Sequence, residues 1–274
     1  MKATFIGFDS AWTDNPKRPG AICSIDYDGS EFSEFRGPTL VGFKQALEFI
    51  QSAYDANRLT LVAVDQPTIV NNLTGMRAAE RVAAAAVSWL GGGVQPASRS
   101  RSGMFDDNAP IWKFLRELGA CDDPERCKAS RDGLFIMEVF PALALPAFHP
   151  GFCGRLSAPR YNPARSKTFR QSDWEKVTKV VGEQVDAMQC PSFNDWCASL
   201  SSVPKPKKSD QDKLDASICL LIALHWMVQP RESSVMIGDL TSGYIVAPVV
   251  DEIRRRLTDK ARSEYVAIDG KIPG

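Results

Sequence analysis

Three apolar runs that each end on a carboxylate carry the chemistry this chain could do. Ala3-Thr4-Phe5-Ile6-Gly7-Phe8 leads into Asp9, Leu61-Val62-Ala63-Val64 into Asp65, and Leu134-Phe135-Ile136-Met137 into Glu138. Runs of this length between breakers read as buried strands. Ligands of open α/β sheets gather at the carboxyl ends of such strands. The runs therefore deliver Asp9, Asp65 and Glu138 to one end of a sheet. A fourth acid, Asp215, lies on the helix that opens at Ser209-Asp210-Gln211-Asp212 and runs to about Val228. Steps of four and three put Lys208, Asp212, Asp215, Cys219, Ile222 and Trp226 on one stripe, so Asp212 and Asp215 extend the sheet-facing side. Capping and the helix dipole explain Asp210, and Asp212 equally well as a ligand role would. They do not explain Asp215 at the edge of the buried stripe, where a carboxylate needs a cation.

Ligands that are all oxygen, without cysteine or histidine, suit hard cations such as Mg2+ or Mn2+. Packing Asp9, Asp65, Glu138 and Asp215 together without one is costly, because like charges raise one another's pKa values. Two divalent ions about 4 Å apart relieve the repulsion and clamp a phosphodiester for in-line attack by water.

The elements that must position these acids can be read in order. Ala21 to Tyr27, the turn signal Asp28-Gly29 and a returning strand over Glu31 to Arg36 predict an opening antiparallel meander. Leu40, Phe43, Leu47, Ile50 and Tyr54 predict a helix over Leu40 to Asn57, and Leu59 to Asp65 a strand reached by crossover. Arg77 to Leu90 is an alanine-rich helix in which Arg77, Glu80 and Arg81 share one turn. Those arginines read either as a solvated, ion-paired face or as phosphate contacts beside the acids. Residues 109–119 predict a short helix, 120–132 a polar connection, and Ala142 to Phe148 a helical turn interrupted at Pro146. Gly151 to Gln171 carries Arg155, Arg160, Arg165, Lys167 and Arg170, with Tyr161 and Phe169 between them. That pattern is either a solvated excursion or a nucleic-acid groove. Helices over Trp174 to Met188 and Phe193 to Leu200, short strands over Ser234 to Gly238 and Gly243 to Ala247, and a surface helix over Val249 to Lys260 complete the chain.

Composition excludes several classes. The 274 residues hold 33 Lys plus Arg and 33 Asp plus Glu, so any polyanion must be held by a local patch. The longest apolar stretch, Ala216 to Val228, falls short of the ~20 residues that span a bilayer. Seven cysteines at irregular spacing argue against a disulfide framework or a zinc site, and a reduced, cytoplasmic protein is expected. His225 lies deep in an apolar helix and reads as a hydrogen-bonded core residue. With only two histidines and no Gly-x-Ser-x-Gly elbow, triad chemistry has no support.

Several motifs, taken together, resemble the DUF 429 family. They are Phe5-Ile6-Gly7-Phe8-Asp9-Ser10-Ala11-Trp12, Val64-Asp65-Gln66-Pro67 followed by Arg77 and Arg81, Glu138-Val139-Phe140-Pro141, Asp215-Ala216, and Gly238-Asp239 leading to Gly243-Tyr244-Ile245-Val246-Ala247-Pro248. The resemblance runs from about residue 3 to 248, and that family is regarded as predicted nucleases of the ribonuclease H-like superfamily. The Asp-x-x-Asp-Ala helix is also similar to that of Holliday-junction resolvases of the same superfamily. The resemblance implies an α/β protein, 1–274 as a single ribonuclease H-like domain: a five-stranded mixed sheet of order 3-2-1-4-5 flanked by helices. Mostly helical insertions would occupy 70–132 and 146–205, over the carboxyl edge of the sheet. It implies Asp9 bridging metals, completed by Asp65 and Asp215; Asp212 is a further candidate ligand from its place on the helix stripe. Glu138 stands in the family's Glu-x-x-Pro motif among the catalytic acids, Arg77 and Arg81 are substrate contacts, and DNA or RNA is the substrate.

Two rivals remain at this point. An ATP-handling protein of the actin and sugar-kinase fold also ends its first strand in Gly-x-Asp. It needs a glycine-rich phosphate hairpin, which Trp12-Thr13-Asp14-Asn15-Pro16 does not supply. A non-catalytic nucleic-acid-binding module could keep the sheet, though it would not need all four acids.

Overall fold

Residues Ala3–Asp9 form β1, and all seven are buried, which explains a run that is apolar throughout instead of alternating. In the computed structural model, which describes residues 1–274, β1 is the central strand of a five-stranded sheet. β2 (Gly20–Tyr27) and β3 (Arg36–Val41) extend it antiparallel. α1 (Phe43–Ala53) crosses to β4 (Leu59–Val64), which lies parallel to β1. After α2 (Ala78–Trp89), α3 (Pro110–Leu118) and α4 (Pro124–Ala129), β5 (Gly133–Glu138) pairs parallel with β4. The order is β3-β2-β1-β4-β5, the mixed sheet that the resemblance implies. The remaining elements are α5 (Pro141–Phe148), α6 (Gln171–Ala187), α7 (Pro191–Ser201), α8 (Lys208–Val228), a hairpin of β6 (Ser234–Asp239) and β7 (Gly243–Pro248), and α9 (Asp251–Glu264).

Alternate residues of the strands feed two cores. Phe5, Cys23, Leu61, Ala63 and Met137 join the larger one, shared with α2, α5, α6, α7, α8 and the β6–β7 hairpin. Ile6, Phe8, Ile22, Val62, Val64 and Ile136 join the smaller one, closed by α1 and α3. α8 is buried on almost every side between Leu214 and Leu224, because the sheet covers one side and α5, α6 and β7 others. It rests directly on β1: a Cβ at Gly7 would lie 2.0 Å from the Ala216 carbonyl oxygen and 2.5 Å from the Leu220 nitrogen. Glycine is what lets helix and strand backbones meet there.

Several elements depart from the expectation, among them α5, which runs unbroken through Pro146. The returning strand is Arg36–Val41, not Glu31–Arg36, and Leu40 belongs to it instead of to α1. Asp28 accepts from the backbone nitrogens of Ser30 and Glu31 and closes the turn; Phe32 then pairs with Tyr27 only as an isolated bridge, and regular pairing begins at Arg36. β3 is an exposed edge strand containing Gly37 and Pro38, which hides its strand signal. Within the polar connection 120–132, Asp123 caps Pro124–Ala129 as a helix. Of the two insertions, the first divides: α2 lies with β6, β7 and α9, whereas α3 packs on α1 across the sheet. In the second, α6 and α7 pair with each other, α6 packs beside α8, and Phe193 stacks on Phe35 at 4.1 Å. No helix is long and apolar enough to cross a membrane.

Candidate active site

Strand register decides which acids meet. The Asp65 nitrogen donates to the Phe8 carbonyl at 2.9 Å, and the Val139 nitrogen to the Val64 carbonyl at 3.0 Å. Asp9, Asp65 and Val139 therefore form one lateral row, with Phe8, Val64 and Glu138 in the row before it. Neighbours in a row point to the same side of a sheet, and successive rows alternate. Asp9 and Asp65 continue the α8 side, after Gly7 and Ala63. Glu138 continues the opposite side, after Ile136.

Asp215 descends on the first row from α8. Its Oδ1 accepts the Tyr161 hydroxyl at 2.8 Å, and its Oδ2 accepts the Gln211 side-chain amide. Burial, then Asp215 and Asp65, hold the Asp9 carboxyl well above the ordinary range, with Lys208 opposing them. Asp65 is raised in the same way by burial, Asp215 and Glu138. Burial pushes Asp215 up to about 6, with Asp212 adding to it, against Lys208, Tyr161 and Gln211. Lys208 is the cation that faces this group, and it is ion-paired to Asp212. Asp212 thus stands at the rim of the cluster, held by lysine. The cluster is short of positive charge.

Glu138 is neutralised from another direction. Arg77, only 1% exposed, clamps it through both terminal nitrogens, with Nη1 to Oε2 at 2.8 Å. Its Nε donates to Glu80 at 2.8 Å and Nη1 also to the Ile69 carbonyl at 3.0 Å. Burial works against the charge on Arg77, but the two glutamates outweigh it and keep it protonated. Burial raises Glu138 while Arg77 pulls it down. Arg77 is therefore an internal counter-ion beside the acid row. Arg81 lies on the outer face of α2, where Nε donates to Glu264 of α9 at 2.8 Å.

A cavity of about 260 Å³ opens beside the acids, and Asp65, Asp215 and Gln211 line it together with Arg160, Tyr161 and Arg165. Arg155, Arg160, Arg165, Lys167 and Arg170 form no ion pair, and of these Arg160 and Arg165 give the cavity a basic wall. The sequence showed this wall but not the role of Tyr161, whose hydroxyl binds Asp215 in place of an open stacking position. Lys208 and Gln211 were visible only as members of the α8 stripe. Lys208 lies four residues before Asp212, a spacing that could have flagged it.

An all-oxygen, carboxylate-rich group suits a hard cation. As they stand, no three His, Cys, Asp or Glu side chains form a ready-made cage. Mg2+ does not require one, since it is commonly held by one or two carboxylates together with water and substrate phosphates.

His225 takes no part in the cluster: its Nδ1 lies 3.2 Å from the Ser234 hydroxyl, and the ring is edge-on to Phe148. His149 accepts the Gly151 backbone N–H at 2.8 Å, outside the cleft. No curated protein and no solved structure matches the chain. The model of the DUF429 family, described as a protein of unknown function, matches residues 7–240, and the chain belongs to that family.

Proposed function

We propose that the protein is a metal-dependent nuclease acting on DNA or RNA, with Mg2+ or Mn2+ bound at Asp9, Asp65 and Asp215. The observation that carries this reading is that buried carboxylates and arginines without ion-pair partners line one cavity. Asp65 and Asp215, buried carboxylates with too little countercharge, line it together with Arg160 and Arg165, which form no ion pair, and Asp9 adjoins the two acids. A phosphodiester matches both, because its anionic oxygens suit Arg160 and Arg165 while bound cations would bridge it to the carboxylates. The metal would supply charge neutralisation and an activated water at neutral pH. Tyr161 and Gln211 hold Asp215 in place by donating to both of its oxygens. Glu138 acts as a positioning residue in this reading, fixing Arg77 and the Thr68 backbone beneath the site. Lys208 offsets part of the negative charge of Asp9 and Asp215, and a divalent ion would offset the rest. All seven cysteines are unbridged, which supports a reducing compartment such as the cytoplasm.

Calorimetry with Mn2+ beside a cleavage panel of DNA and RNA tests the proposal. Wild type should bind Mn2+ and cleave at least one substrate, and Asp9→Asn should lose both. Equal Mn2+ binding by the two proteins would remove the metal and, with it, the mechanism.

A further inference from the structure

The connection between α5 and α6, which carries the basic excursion, is tied down where it meets the acids. The Leu156 nitrogen donates to the Trp89 carbonyl at 2.9 Å and the Ala158 nitrogen to the Leu90 carbonyl at 2.8 Å, so it is fastened to the C-terminal end of α2. A Cβ at Gly91 would lie 3.2 Å from the Leu156 Cα and 3.4 Å from Arg160 Nη2, which leaves no slack between the two segments. Leu156 itself has φ 60°, a conformation unfavourable for a bulky residue that persists only where neighbouring contacts impose it. Both backbone groups of Arg160 are bonded as well. Its nitrogen donates to Asp173 Oδ2 of α6 at 2.7 Å, and its carbonyl accepts from the Arg170 nitrogen at 2.8 Å. Tyr161, the next residue, bonds Asp215. From α2 to α6 this segment is a fixed wall of the cleft.

Access to the acids is narrow as a result. Asp9 and Asp215 are only 7% and 6% exposed, and Asp65 is half-buried. The cavity beside them measures about 260 Å³. A cavity of about 150 Å³ holds a benzene ring, so this one has room for about one nucleotide and not for two paired strands.

A recess of that size behind a fixed wall selects the form of the polymer. In a duplex each phosphate belongs to a stiff rod that resists local bending, so one phosphate cannot be led down to buried carboxylates. An unpaired strand turns at each nucleotide and can follow a narrow basic groove, here past Arg160 and Arg165. A basic surface patch without the recess would make the opposite choice, because the duplex carries the denser charge. Preference for the single strand is therefore a property that the cavity confers and the charge alone does not.

We propose that the substrate of this site is single-stranded nucleic acid, whose backbone enters the cavity beside the acids, and that paired strands are excluded. The inference rests on the nuclease reading for its chemistry, and the test separates the two. Binding to the full chain is measured by fluorescence anisotropy in chelator, where no metal-dependent cleavage occurs. The probes are a labelled single-stranded oligonucleotide and its blunt duplex, each as DNA and as RNA. In at least one of the two chemistries the single strand should bind about tenfold more tightly than the duplex. Ala158→Trp, which fills the cavity from its lining, should remove that preference. If that variant does not fold, Thr168→Trp, at an exposed position of the same lining, takes its place. Duplex binding as tight as single-strand binding in both chemistries, binding of neither form, or a preference that survives the filled cavity overturns the inference. A parallel assay with Mn2+ follows cleavage of the same oligonucleotides. Cleavage of duplex as fast as of single strand overturns the inference and leaves the nuclease reading. Single-strand preference that the variant loses, without cleavage of any substrate, supports the inference and removes the nuclease reading.

Discussion

The Ala216 carbonyl of α8 occupies the space that a side chain on Gly7 of β1 would fill. That contact lowers Asp215, the preceding residue, onto Asp9, two residues further along β1. Gly7→Ala would place a Cβ against backbone atoms that cannot rotate away, so the helix must retreat. A stability loss of about 1–3 kcal/mol or more is expected in chemical denaturation. Mn2+ affinity should fall in whatever fraction still folds, although no acid has been changed.

Asp215→Asn separates metal binding from helix capping. As a dipole partner, Asp215 would contribute about 0.3–1 kcal/mol, and the variant would be less stable. Its carboxyl is instead pushed up to about 6, so the native state holds its proton more tightly than an unfolded chain does. Asp215 thus favours folding at low pH, and that contribution fades as pH rises through about 6. In chelator at pH 7.5 the variant should be at least as stable as wild type, while cleavage falls by orders of magnitude. A destabilised, fully active variant would return Asp215 to capping.

Arg77 and Arg81 should behave as opposites despite sharing a turn of sequence. Arg77→Ala leaves Glu138 and Glu80 buried without a cation, at a cost of about 3–5 kcal/mol. Arg81→Ala removes an ion pair whose arginine is 45% exposed, and stability should change by less than about 1 kcal/mol. Urea denaturation of the two variants gives the comparison. Similar losses would contradict the placement of Arg77 as internal counter-ion.

If Arg160 and Arg165 meet phosphates, the binding of a single-stranded oligonucleotide will depend on them through salt. Each Arg→Ala should reduce the slope of log K against log salt by about 0.7 on a single strand. Affinity should drop similarly for every sequence, since phosphate contacts carry no base information. An unchanged slope in both variants would leave the wall without a ligand.

Burial brings the His225 imidazole from 6.5 down to about 4, with Lys128 adding to the effect. An unfolded chain takes up that proton near pH 6.5 and the native state only near pH 4. Stability from this group is therefore lost as pH falls through that window, at up to about 1.4 kcal/mol per pH unit. The raised carboxylates of the cleft have the opposite slope, so the measurement is the difference between wild type and His225→Gln. On going from pH 7 to pH 5 the urea midpoint of wild type should fall more, or rise less, than that of the variant.

Much of this organisation was legible in the residues themselves. Short apolar runs between breakers read as strands buried on both faces, and their ends marked Asp9 and Asp65. The period of α8 placed Asp215 on the side facing the sheet, and His225 among apolar neighbours. These are local properties, set by side-chain periodicity along one element. Tertiary structure alone decided the rest. Glu138 ends its strand as Asp9 and Asp65 end theirs, yet it stands one row earlier in the register and is held by Arg77 instead of meeting Asp215. A one-residue step changes neither hydrophobicity nor length, so the sequence carries no trace of it. Arg77 and Arg81 likewise look alike in sequence, and only the packing of α2 against β7 and α9 makes one an internal cation and the other a surface residue. Tyr161 reaches Asp215 across 54 positions. Such a contact depends on how a long connection folds back over the sheet, and no periodicity encodes that.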